Sequence, residues 1–138
     1  MTKEEAESLS PAGASSTSNG TGRGPFDLEE RTARFGEDAI AFAKRVPVNL
    51  VTSPLIGQLV RAATSVGANY CEADEAESRK EFRYRISLCK RESKETKFQI
   101  RMIAAAADDM RESGRPLWQE AKELTRIFAT ILRKCGGG

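Results

Sequence analysis

The chain has 138 residues, with 22 Lys plus Arg against 20 Asp plus Glu, three Cys and no His. That length supports one domain, and a net charge of +2 is too small to demand a polyanionic partner by itself. The absence of His removes the commonest zinc ligand and the Glu-x-x-His elements of histidine-containing di-iron bundles, so no cofactor or metal is expected.

Residues 1–25 include a run from Ser10 to Gly22 made of Ser, Pro, Ala, Gly, Thr and Asn. Such a segment has too little apolar surface to offset the entropy of ordering and reads as a disordered tail. A first helix is predicted after Asp27, whose carboxylate would cap it with Glu30 three residues on. Its apolar line of Leu28, Thr32, Phe35, Ala39, Phe42 and Val46 alternates steps of four and three until Pro47 stops it.

Ser53-Pro54 is expected to open a second helix, with serine as cap and proline at the first helical position. Its buried line is Ile56, Leu59, Ala63, Val66 and Tyr70. Gly57, Ala62, Ala63, Gly67 and Ala68 would let a neighbouring backbone approach closely. Asn69 and Glu72, one turn apart, are expected to bond each other or Arg61 and so fix the register of the bundle.

Residues 78–113 read as one uninterrupted third helix, opened by the capping box Ser78-Arg79-Lys80-Glu81. Its stripe of Phe82, Ile86, Cys89, Ser93, Thr96, Ile100, Ile103, Ala107 and Met110 has the alternation of an antiparallel bundle seam. A weaker stripe of Tyr84, Leu88, Phe98 and Met102 falls on the opposite side, where a monomer should present solvated groups. These four residues are therefore expected to form an oligomer interface. Gly114 and Pro116 mark the next turn, and a fourth helix runs from about Pro116 to Lys134 on Leu117, Ala121, Leu124, Phe128 and Ile131. The terminal glycines 136–138 read as a flexible end. The fold expected is all-α, an antiparallel up-down-up-down four-helix bundle over residues 26–135.

The first two-thirds of the third helix carries Arg79, Lys80, Arg83, Arg85, Lys90, Arg91, Lys94, Lys97 and Arg101 against only Glu81, Glu92 and Glu95. Among these, Arg83, Lys90, Arg91, Lys94, Lys97 and Arg101 form the candidate nucleic-acid-binding set, because cations gain affinity for a polyanion by releasing its counterions. The competing reading is a solvated face neutralised by Glu29, Glu30, Glu37 and Asp38 of the first helix and by Glu72, Asp74, Glu75 and Glu77. That last cluster suits the amino end of the third helix better than a metal, since negative charge is favourable there. Trp118 and Tyr70 fit bundle positions better than base-stacking ones. No His base, activated nucleophile or cofactor motif is present, so no catalytic residue is assigned and a non-enzymatic role is expected.

Cys71, Cys89 and Cys135 are unclustered and odd in number, which suggests reduced thiols, with Cys89 a small core residue. No apolar run is long enough to cross a bilayer or form a signal peptide, so a cytoplasmic protein is expected.

Arg61-Ala62-Ala63-Thr64-Ser65-Val66, Asn69 with Glu72, Ser78-Arg79-Lys80-Glu81-Phe82 and Lys90-Arg91-Glu92-Ser93-Lys94-Glu95-Thr96 together resemble the four-helix bundle family that includes the 23S rRNA intervening sequence proteins. Leu117, Glu120, Ala121, Glu123 and Leu124 add a looser match. The family commonly has glycine where Ala73 follows Glu72, and aromatic or leucine residues within Lys97-Phe98-Gln99-Ile100. The accessory variability determinant of diversity-generating retroelements is similar in fold. The resemblance implies a homopentamer of bundles whose basic surface contacts RNA, DNA or a reverse transcriptase. The alternative from another class is a protein-interaction scaffold that touches no nucleic acid.

Overall fold

The computed structural model of the protein describes residues 28–136. Four helices follow in chain order: α1 (Leu28–Arg45), α2 (Thr52–Asp74), α3 (Arg79–Ala106) and α4 (Arg111–Gly136), with a short 3-10 turn at Asp108–Met110 before α4. Each packs against the next, and α1 returns to α4 along the thinnest seam. The order of contacts shows that neighbours run antiparallel. Gly36 faces Thr64 while Gly67 faces Thr32, Asn69 meets Arg85 while Arg61 meets Glu92, and Arg83 meets Leu132 while Lys97 meets Trp118. Arg31 and Glu120 close the ring between α1 and α4 with a two-pronged ion pair at 2.6 and 2.9 Å.

The core is built from most of the predicted stripe positions, with Ile56, Tyr70, Phe82, Ala107 and Ile131 half-buried against it. Leu28, Phe35, Ala39, Phe42 and Val46 of α1, Leu59, Ala63 and Val66 of α2, Ile86, Cys89, Ile100 and Ile103 of α3, and Leu117, Ala121, Leu124 and Phe128 of α4 are all buried. Thr32, Ser93 and Thr96 are buried with them because each hydroxyl donates to the carbonyl four residues earlier, at 2.7 to 2.8 Å, so that all three hydroxyls are satisfied. The small residues of α2 work where α1 passes. A Cβ at Gly67 would stand 3.4 Å from Thr32, whereas Gly57 has nothing within 4 Å and serves no close approach.

Three boundaries differ from those predicted. α2 is capped a turn earlier than Ser53: Asn49 Oδ1 accepts from the amides of Val51 and Thr52 at 2.8 and 2.9 Å, and Thr52 Oγ1 accepts from the Asn49 amide at 3.0 Å. This is a reciprocal capping box with Thr in the place of Glu. α3 ends at Ala106 rather than running to residue 113, because Ala107 turns to φ −141° and ψ 88° and the 3-10 turn swings Met110 into the core. Gly114 and Pro116 therefore lie inside α4 rather than in a turn. Gly114 is buried where α1 and α3 converge, since a Cβ there would meet Ile100 at 3.1 Å and Phe42 at 3.3 Å. Pro116 is exposed near the start of the helix, where solvent can satisfy the Glu112 carbonyl that loses its amide partner. At the opening of α3, Ser78 Oγ accepts from the Glu81 amide at 3.0 Å, which is half of the expected capping box; the Glu81 carboxylate accepts at 3.5 Å from the Glu77 amide rather than from that of Ser78. Gly136, expected in the flexible end, is the last residue of α4, while the cap assigned to Asp27, the tail 1–25 and the last two glycines lie outside the described residues.

Candidate nucleic-acid interface

A helix turns 100° per residue, so the side chains of α3 sort into flanks on either side of its buried stripe. The flank beside α2 holds Arg85, Glu92 and Gln99, seven residues apart. Arg85 Nη1 donates to Asn69 Oδ1 at 3.1 Å, and Glu92 pairs with Arg61 at 3.3 Å. Asn69 also donates to the Ser65 carbonyl at 3.0 Å, while Glu72 is exposed. The expected grouping of Arg61, Asn69 and Glu72 is therefore not formed; two of the three are tied to α3 instead. Arg85 Nε, Glu92 Oε1 and Gln99 Oε1 are buried on this flank without hydrogen-bond geometry to any partner. For Glu92 Oε1 the Arg61 guanidinium is near enough for ion pairing but poorly aimed.

The flank beside α4 holds Arg83, Lys90, Lys94, Lys97 and Arg101, and the structure separates these cations by employment. Arg83 is committed to α4, donating from Nη1 to the Leu132 carbonyl at 3.0 Å. Lys97 lies over the Trp118 ring with its Nζ 5.4 Å from the centroid, and Lys122 lies over the same ring at 5.6 Å. Trp118 is thus half-buried against the core and also carries two ammonium groups. Lys122, four residues after Trp118 in α4, is a contributor that sequence reasoning missed, although the i, i+4 spacing carried the signal. Lys90, Arg91, Lys94 and Arg101 make no ion pair within 4 Å among the described residues.

The acids expected to neutralise this face do not reach it. α1 sits diagonally across the bundle from α3, where Glu30 pairs with Arg34. Glu72, Asp74 and Glu75 lie at the end of α2 and Glu77 in the following turn, all exposed, and among the described residues no group of three His, Cys, Asp or Glu converges as a metal site.

Three of the unpaired cations, Lys90, Arg91 and Lys94, border a groove of about 430 Å³, completed by Ser87, Glu95 and Phe98 of α3 and by Leu132 of α4. The groove's one carboxylate, Glu95, accepts from Gln99 Nε2 at 3.1 Å. Of the outward apolar set, Tyr84 and Phe98 are 57% and 53% exposed, and Leu88 and Met102 are half-buried. Phe98 opens onto the groove; Tyr84 carries the Arg85 guanidinium 5.7 Å from its ring centre.

The three thiols are free, with Cys71 exposed, Cys135 half-buried and Cys89 buried. Burial pushes the Cys89 thiol up to about 12, against a weaker lowering by a backbone hydrogen bond. Burial also raises Tyr70 and Cys71, with help from the carboxylates around Asp74 and Glu29. Among the described residues no helix is long and apolar enough to cross a membrane.

Comparison with known proteins gives a family and a shared fold. No curated protein matches the chain. A crystal structure at 1.70 Å of a protein with unknown function from the S23 ribosomal protein family of Bacteroides thetaiotaomicron superposes with a TM-score of 0.67. It is 22% identical, and the match covers 77% of this chain and 98% of that one, which shows a shared fold. The family model described as 23S rRNA-intervening sequence protein matches residues 27–130, a span that takes in the bundle from the start of α1 almost to the end of α4. The chain belongs to the 23S rRNA-intervening sequence protein family.

Proposed function

We propose that this is a non-enzymatic, cytoplasmic, homo-oligomeric accessory protein that contacts nucleic acid or a nucleoprotein through the α3 face turned towards α4. The observation that carries this reading is the set of unpaired cations Lys90, Arg91, Lys94 and Arg101, held on one helix while the acids of α1 lie across the bundle. Repeated around a symmetric assembly, such charges sum into a field that favours a polyanion even though each subunit is nearly neutral. Family likeness suggests a pentamer and makes a reverse transcriptase one nucleoprotein to consider. Tyr84, Leu88 and Met102 are the side chains offered to a neighbouring copy, and Phe98 borders both that surface and the groove.

The test is light scattering for mass, followed by titration of the intact assembly with RNA and with single- and double-stranded DNA over a range of salt. The reading expects a multimer and weak, sequence-tolerant binding that falls steeply with ionic strength. A multimer that binds none of these at low salt would replace it with the protein-interaction scaffold, which the exposure of Tyr84 favours.

A further inference from the structure

We propose that the groove on α3 takes a single strand of nucleic acid, with an unpaired base stacked on the Phe98 ring and neighbouring phosphates on Lys90, Arg91 and Lys94. This rests on the nucleic-acid reading above and specifies the form of ligand that the site selects. Phe98 is more than half exposed in a groove where three cations face one carboxylate. A large aromatic ring left in water beside unpaired cations is the combination that single-strand sites use, because every base has a face to stack and every nucleotide a charge to neutralise.

The other aromatic rings nearby each carry a cation. Trp118 is clasped by Lys97 and Lys122, and Tyr84 lies against the Arg85 guanidinium, whereas among the described residues no cation sits over Phe98. Lys94 and Phe98 are one helical turn apart, about 6 Å along the axis, which is the scale separating a base from its own phosphate. A duplex offers this groove only its backbone, because its base faces are stacked inside, so the aromatic ring would gain nothing from it. An acidic peptide would satisfy the cations but does not pair each charge with a flat ring, as every nucleotide does.

The full-length assembly should be titrated at low salt with one labelled oligomer as single-stranded RNA, single-stranded DNA and RNA duplex. The expectation is that single strands bind at least about fivefold more tightly than duplex, the loss to be expected when one stacked base is removed. The RNA and DNA arms decide which sugar is preferred. Phe98→Leu keeps the apolar bulk without the aromatic face and should bring single-strand binding down to the duplex level. Phe98→Trp should retain it, and Lys94→Glu should weaken both forms. Ultraviolet crosslinking of the unmodified protein to the single strand should map to the peptide containing Phe98, a readout independent of any effect of Phe98→Leu on folding or assembly. Equal binding of duplex and single strand, unchanged binding by Phe98→Leu, crosslinks confined to other peptides, or equal competition by polyglutamate would each overturn the stacking proposal while leaving a cationic surface. Failure of every nucleic acid to bind would overturn the underlying reading as well.

Discussion

Arg83 Nη1 donates to the main-chain carbonyl of Leu132 across 3.0 Å, joining the start of α3 to the end of α4. The guanidinium lies so close to the final turn that a Cβ at Gly136 would overlap it. A cation at this position satisfies a terminal carbonyl and opposes the negative end of the helix dipole. Arg83 therefore acts as a cap for α4, although its place in the sequence puts it among the nucleic-acid candidates.

Arg83→Ala is expected to cost about 1 kcal/mol, the scale of a partly buried hydrogen bond from a charged group combined with a dipole contact. Hydrogen exchange should speed up over residues 130–136 and remain unchanged in α1. Nucleic-acid affinity should fall far less than for Lys94→Glu. An equal fall in affinity with no fraying would return Arg83 to the binding face.

The bundle was legible in the sequence because one physical rule, apolar steps of four and three, governs all four helices. Leu28 to Val46 and Leu117 to Phe128 are buried at the positions that rule selects. The end of α3 was not legible. Ala104 to Ala107 are strong helix formers with no breaker until Gly114, and the chain reverses there because Met110 is drawn into the core and Gly114 into the contact with Phe42. In the candidate site the charge excess was legible, but its division was not. Arg83 meets a carbonyl 49 residues away and Lys97 meets Trp118 on another helix, contacts that periodicity along one helix cannot reveal.

Cys89 and Cys71 are expected to part company in reactivity. The thiolate is the reactive form, and Cys89 is buried with its thiol pushed up to about 12, so it should resist alkylation in the folded protein. Cys71 is exposed and should be labelled, more slowly than a free thiol because its own value is raised. Mass spectrometry after a timed pulse of iodoacetamide checks this, and rapid labelling of Cys89 without unfolding would contradict its core position.

The same thiol sets an alkaline limit to stability. Its folded value lies above the ordinary 9.0, so the folded state holds the proton more tightly. The contribution is complete below about pH 9 and is lost as pH rises from there towards about 12, at about 1.4 kcal/mol per unit. In Cys89→Ala, unfolding measured at several alkaline pH values should show the deficit at neutral pH shrinking above pH 9. A constant deficit would mean that Cys89 does not titrate with unfolding.

Gly57 and Gly114 should respond in opposite directions to alanine, although both lie inside helices. Alanine favours the helical backbone over glycine by about 1 kcal/mol. At Gly57 a new Cβ meets nothing within 4 Å, so that preference acts alone and Gly57→Ala should be more stable by about 0.5 to 1 kcal/mol. At Gly114 the Cβ would press on Ile100 Cγ2 at 3.1 Å and on two carbons of the Phe42 ring at 3.3 Å, all within the buried core where α1, α3 and α4 meet. Overpacking of this kind costs about 1 to 3 kcal/mol and exceeds the propensity gain, so Gly114→Ala should lose stability despite the better helix former. Denaturant unfolding of the two variants beside the parent gives the signs directly. A stabilised Gly114→Ala would mean that the α1–α4 seam has room to open by several tenths of an ångström, and the role of Gly114 in closing the bundle would have to be abandoned.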